Sequence, residues 1–239
     1  PRLSRAVASE DHGQQQASMD EAVTLSMALT LPAAAALMAM PYFLIDALFT
    51  RGAFLQIDAI NTARALFQFG WGVPAFVLIR ILAPAYFARR DTRTPMKFAL
   101  ISVAVNAGLA IALFNLGMGV SGIAAAVSAA AWTNAGLLGF TLWRRNHYRP
   151  GTAALSRLAR IGLASGGLAV VVGLAASARP LLEGPIAGLL AAAGLDHGAK
   201  ELGLVLVTGV GGLTYVALAF ATRALTVAEV KTLLGRSRR

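Results

Sequence analysis

The sequence has 239 residues, of which 57% are apolar and only 13% charged, against roughly 45–50% and about 25% in soluble domains. One core cannot hide that excess, and several charge-free runs approach the ~20 residues of a bilayer-spanning helix, so an integral membrane protein is implied. The absence of cysteine excludes disulfide frameworks, thiol nucleophiles and Cys-based metal sites, while the net charge of +10 lies mostly between apolar spans rather than on the soluble basic face that nucleic acid needs.

The chain opens on Pro1, with neither an initiator Met nor a signal-peptide pattern, which reads as part of a longer chain. Segment 1–21 is a cytoplasmic lead-in. Its polar stretch from Ser9 to Ser18, with Gln14-Gln15-Gln16, reads as an exposed linker. Ser18-Met19-Asp20-Glu21 then fits a capping box that starts the first helix. Charges border six spans: Ala22–Phe49, Ala65–Ala88, 98–114, 120–143, Ile161–Ala178 and Leu202–Thr222. The third and fourth come from a single uncharged run, divided where Asn115-Leu116-Gly117-Met118-Gly119 supplies turn formers. No period-2 alternation supports a β-barrel, which leaves helices as the backbone-satisfied way to cross lipid. The fold class is therefore all-α integral membrane with six transmembrane helices.

Sixteen of the 21 Lys and Arg fall before the first span, in the second and fourth connections and in the tail, whereas Arg51, Arg64, Arg179 and Lys200 fall on the other side. By the positive-inside rule both ends are cytoplasmic. Segment 144–160 is a basic cytoplasmic loop and 223–239 a tail in which Val227, Val230 and Leu234 suggest a short interfacial helix.

Catalytic constellations are not visible. His12, His147 and His197 lie in loops without ligand spacing, and no nucleotide-binding glycine pattern appears. No catalytic residue, metal or cofactor is expected. Span two is the informative segment. Arg80 lies roughly 12 Å from its cytoplasmic end, and a charge at that depth normally faces a protein interior or wet cavity. The alternative is a side chain that snorkels to the headgroups. Pro74 frees the carbonyl of Gly70 and Pro84 that of Arg80, so two interruptions are expected around the arginine. In span one Pro32 frees the Ala28 carbonyl and Pro41 that of Leu37. Asp46 is expected to pair with Arg51 or Arg64, with proton coupling as the sharper alternative. Asn106, Thr133 and Asn134 read as interhelical glue or as cation ligands, and Gly162-Leu163-Ala164-Ser165-Gly166 as a close-packing site.

The stretch Arg80-Ile-Leu-Ala-Pro84-Ala-Tyr-Phe-Ala-Arg89-Arg-Asp91-Thr-Arg-Thr94-Pro95-Met-Lys97 resembles the motif of the MurJ/MviN family, the bacterial lipid II flippases. Pro1-Arg-Leu-Ser-Arg5 is similar to the family's segment after its eighth helix, and Leu48-Phe-Thr-Arg-Gly-Ala-Phe54 to the loop after its ninth. The resemblance is strong over 1–149 and rests on hydropathy beyond.

It implies the C-terminal half of a fourteen-helix, two-lobe flippase in the bacterial inner membrane: 22–143 as four helices of the C-terminal lobe and 161–222 as the final pair, which borders a groove for the lipid tail. The implied activity is alternating-access transport rather than enzymatic catalysis. The implied substrate is lipid II, a polyprenyl-pyrophosphate-linked sugar, with membrane lipids and cell-wall synthesis proteins as further partners and nucleic acid excluded. Arg80, Pro84, Arg89 and Asp91 become substrate-binding or gating candidates. Asp46, Asn106 and Thr133 become coupling candidates, although neither span carrying the last two holds an acid. Thr94 before Pro95 suits an N-cap. The alternatives are a related exporter of another polysaccharide-lipid or drug, and a non-transporting membrane scaffold.

Overall fold

The computed structural model describes residues 12–192 and 198–224. His197, the opening Pro1–Arg5 segment and the tail stripe of Val227, Val230 and Leu234 lie outside them. Among the described residues the chain is all α, without strands. The first helix, α1, runs His12–Ala39 and so begins upstream of the expected capping box, with Ser18 inside it. The linker expectation for this stretch is overturned by a tertiary contact. Gln15 is buried, and its Oε1 accepts a hydrogen bond from Arg89 Nη2, which holds the polar segment helical.

Proline has two outcomes here. Pro41 stops α1 at Met40 and opens α2 (Pro41–Phe49) from its first position. Pro32 lies inside an unbroken α1. The carbonyl it frees, that of Ala28, accepts the hydroxyl of Tyr215 from the last helix. A donor from a distant element thus replaces the missing N–H.

Helices α3 (Gln56–Gly70) and α4 (Val73–Phe87) form the second span, broken at Trp71–Gly72 ahead of Pro74. Pro84 does not break α4, so there is one interruption where two were expected. It sits one turn before the helix end, where little remains to be disrupted. The third and fourth spans are α5 (Arg93–Leu113) and α6 (Gly119–Arg144). The chain reverses between them as expected, with Gly117 and Gly119 both at positive φ, which glycine adopts freely. Ser102 Oγ donates to Ala130 O at 2.8 Å, fixing the antiparallel register. Helix α7 spans Thr152–Ser177 and α9 spans Ala199–Ala221. Between them Arg179–Ala192 forms a further helix, α8, in a segment expected to be a plain connection.

The helices pack in a row: α5 on α6, α6 on α3 and α4, these on α1, α1 on α7, and α7 on α9. The expected GxxxG is not a packing site, since a Cβ at Gly162 or Gly166 would meet nothing within 4 Å. Gly167 and Gly211 provide the close approaches instead, against Leu218 and Val172. Contacts between elements that involve charged side chains collect at the two ends of the helices. One end holds the Gln15–Arg89, Asp20–Tyr148, Asp91–Arg145 and Arg157–Ala224 contacts, and the other holds Asp46 with Arg179 and Lys200. Such polarity at both ends and apolar flanks between is what a bilayer imposes.

Candidate functional site

Successive residues turn by 100° along a helix, so Arg80, Pro84 and Phe87 share one face of α4. All three are exposed on this chain. Leu78 and Leu82 project on the opposite side, where they pack toward α6 and α1. Arg80 is therefore neither paired with an acid among the described residues nor turned into the row. The conformational break associated with it lies nine residues upstream. There Ser128 Oγ donates to Gln68 O at 2.7 Å and Trp132 Nε1 to Trp71 O at 2.9 Å, so α6 satisfies carbonyls that the interrupted helix leaves open.

The other motif residues shape the turn at that end of the row. Half-buried Arg89 donates to Ala85 O at 2.8 Å and to Gln15 Oε1 at 2.5 Å, which ties α4 to the start of α1. Asp91, not Thr94, provides the cap of α5. Its Oδ1 accepts the Thr94 amide at 3.0 Å, and its Oδ2 accepts the Thr94 hydroxyl at 2.7 Å and Arg145 Nη1 at 2.8 Å. Helix α5 begins at Arg93, a position too early for Thr94 to act as N-cap. The Thr94 hydroxyl and amide, with Arg145, hold the Asp91 carboxyl down to about 2 from its ordinary 3.8. Because the folded value is depressed, the stabilisation is complete above 3.8 and is lost as pH falls through about 2. Asp91→Ala is expected to cost about 1 kcal/mol at neutral pH. Thermal midpoints of the two proteins should converge between pH 4 and pH 2, and a constant gap across that window would contradict the assignment.

Asp46 lies at the opposite end and is only 3% exposed. Its expected partners are corrected: Asp46 pairs with Arg179 and, at 3.2 Å, with Lys200 Nζ. Arg51 reaches Glu201 instead, at 3.5 Å, and Arg64 lines an open pocket beside Tyr42 and Gln68. Arg179 also binds Glu183 and stacks 4.8 Å over the Phe43 ring. The sequence held both partners, but only the return of α8 and α9 to α2 brings them within reach. Thr133 Oγ1 donates to Ala129 O of its own helix at 2.9 Å, which binds it within α6 rather than across helices. The side-chain oxygens of Asn106 and Asn134 are buried without a hydrogen-bond donor.

A groove of about 500 Å³ opens between α1, α7 and α9. Leu29, Pro32, Ala33 and Ala36 form one wall, Leu168 and Val172 its floor, and Gly211, Gly212 and Val216 the other wall. Tyr215 also lines it and spends its hydroxyl on Ala28 O, so the lining is almost wholly apolar. On α1, Leu29 lies half a turn from Asp20, whose carboxylate faces Tyr148 and Gly151. By the same phase argument the groove and Arg80 share one side of the row, while the Tyr148 loop occupies the other. Tyr215 escaped sequence reasoning because nothing marks a lone tyrosine as the donor for a proline-freed carbonyl 187 positions away.

A family model described as lipid II flippase MurJ matches residues 1–184. The chain belongs to this family. It is 39% identical over 214 residues to a probable lipid II flippase MurJ of Rhizobium meliloti strain 1021, covering 85% of this chain and 40% of that protein. A probable lipid II flippase MurJ of Rhizobium tropici is 40% identical over 147 residues, 62% of this chain and 27% of its own length. The lipid II flippase MurJ of Burkholderia cenocepacia is 33% identical over 150 residues, 63% of this chain and 29% of its own length. The chain thus spans well under half the length of these MurJ relatives. Within that share it carries the whole Arg80–Lys97 motif, whose acid and second arginine secure a turn while its first arginine stays open.

Proposed function

We propose that the protein carrying this chain translocates lipid II, moving its pyrophosphate-sugar headgroup between leaflets by alternating access. The chain supplies one wall of the path and the seat of the polyprenyl tail. The observation that carries this reading is the apolar groove between α1 and the last helices, on the same side of the row as Arg80. A long hydrocarbon chain needs an apolar channel that opens to lipid, and its anionic head needs a cation outside that channel. The groove offers the first and Arg80 the second. With both ends of the chain cytoplasmic, Arg80 sits toward the inner leaflet, where the headgroup is loaded. Arg89 and Asp91 act by holding the turn below it, and Asn106 remains the coupling candidate among the polar groups of α5 and α6. Pro84, on the same exposed face, has no N–H to offer the Arg80 carbonyl.

The test uses the intact protein in cells depleted of their own flippase, reading the amount of lipid-linked precursor in the outer leaflet. Wild type should restore it. Gly212→Leu fills the groove without a clash, since a Cβ there meets nothing within 4 Å, and is expected to lower flux at least tenfold. Arg80→Ala should lower it similarly, at unchanged expression. Full rescue by both variants would remove the groove and the arginine from the path. Failure of wild type, despite normal insertion, would remove lipid II as the substrate.

A further inference from the structure

A second groove, of about 430 Å³, runs along the other side of the row. Its floor is α4 at Leu78 and Leu82, and its main wall is the face of α6 that carries Trp132, Gly136, Phe140 and Trp143. Tyr148 and Pro150 close one end. Next to that end the Arg149 guanidinium lies 5.6 Å over the Trp143 ring, a cation held by an aromatic face at the groove mouth. Arg144 and Arg149 are exposed and meet no carboxylate among the described residues. Asp20 and Asp91 are committed elsewhere: Asp20 to Tyr148 and Gly151, Asp91 to Thr94 and Arg145. Among the described residues the mouth is therefore a positive site without a paired carboxylate, and an apolar cleft extends from it into the membrane. Water has few partners in so apolar a lining.

We propose that this groove holds one anionic glycerophospholipid, its phosphodiester on Arg149 and an acyl chain lying along α6 between Trp143 and Trp132. The site is separate from the tail groove and from Arg80, which face the other side of the row. An arginine adjoining an acidic lipid contributes about 1 kcal/mol, close to a fivefold preference. The absence of a side chain at Gly136, where a Cβ would meet nothing within 4 Å, leaves room for the chain.

The experiment takes the intact protein in nanodiscs of phosphatidylcholine doped with photoactivatable phosphatidylglycerol, and with photoactivatable phosphatidylcholine as the control. Phosphatidylglycerol should label α6 residues of the groove about fivefold more than phosphatidylcholine does. Arg149→Ala should erase that preference. Gly136→Leu should abolish groove labelling by both lipids without shifting the thermal midpoint, which separates a filled groove from a misfolded protein. Equal labelling by the two lipids, or a preference that survives Arg149→Ala, would overturn the proposal. So would a wild-type groove that takes up neither lipid because another protein segment covers it.

Discussion

Asp46→Ala is expected to lower the unfolding free energy by about 3 kcal/mol, because it takes the buried counter-ion away from Arg179. Arg179 is 13% exposed and stacked on Phe43, so it cannot easily turn to water. Glu183 remains as a single acid for it. Lys200 is 43% exposed and can swing out, which sets the loss at the value of one stranded charge rather than two. Arg51–Glu201 lies in solvent and adds little. The same physics predicts that Asp46→Leu combined with Arg179→Met recovers most of the loss, since a buried pair can be replaced by apolar groups of similar volume. The measurement is the thermal or denaturant midpoint of the intact protein in detergent. A single-variant loss below about 1 kcal/mol, the size of an exposed pair, would show that the cluster does not fasten α2 to α8 and α9.

Gly72→Val carries the second large effect. An added Cβ at Gly72 would lie 3.0 Å from the Ser128 Cα and 2.7 Å from its Cβ, so backbone as well as side chain must move. Helix α6 would be pushed off the Trp71–Gly72 break. The hydrogen bonds from Ser128 to Gln68 O and from Trp132 to Trp71 O would then be lost. Overpacking of this kind costs about 1–3 kcal/mol, and each carbonyl stranded without its donor adds about 1 kcal/mol. A total of about 3 kcal/mol is expected from these two effects together, with Gly72→Ala showing a smaller loss of the same sign. Ser128→Gly should not rescue Gly72→Val, because the backbone of α6 at that position still stands in the way. A Gly72→Ala protein as stable as wild type would mean that α6 does not seat on the break.

Hydropathy and charge made the spans readable because both are local properties, repeated over many residues and enforced by the bilayer. The reversal at Gly117–Gly119 was equally legible, since turn formers in a long apolar run have few other uses. The breaks were half legible. Proline chemistry gives the carbonyl that loses its donor, but whether the helix yields depends on what else can donate. Ala28 found Tyr215 and α1 stayed intact, whereas at Trp71–Gly72 the helix opened and α6 supplied Ser128 and Trp132.

The candidate site divides in the same way. The Arg80–Lys97 motif was visible as a string, but its members separate in space. Arg89 and Asp91 build the turn, while Arg80 stays on the open face with Pro84 and Phe87. The family resemblance implied a groove beside the final helix pair, but its walls could not be read from hydropathy, because they come from α1, α7 and α9 and each is simply another apolar helix when taken alone.

By itself the sequence determined the membrane class, the all-helical architecture and the family. Each of these rests on patterns within about twenty residues, the length of one span. The tertiary structure decided which charges pair, which glycines pack and which side of the row holds the groove. Those depend on helix rotation and on contacts between elements far apart in the chain, such as Asp46 with Arg179 and Ala28 with Tyr215, which no local pattern encodes.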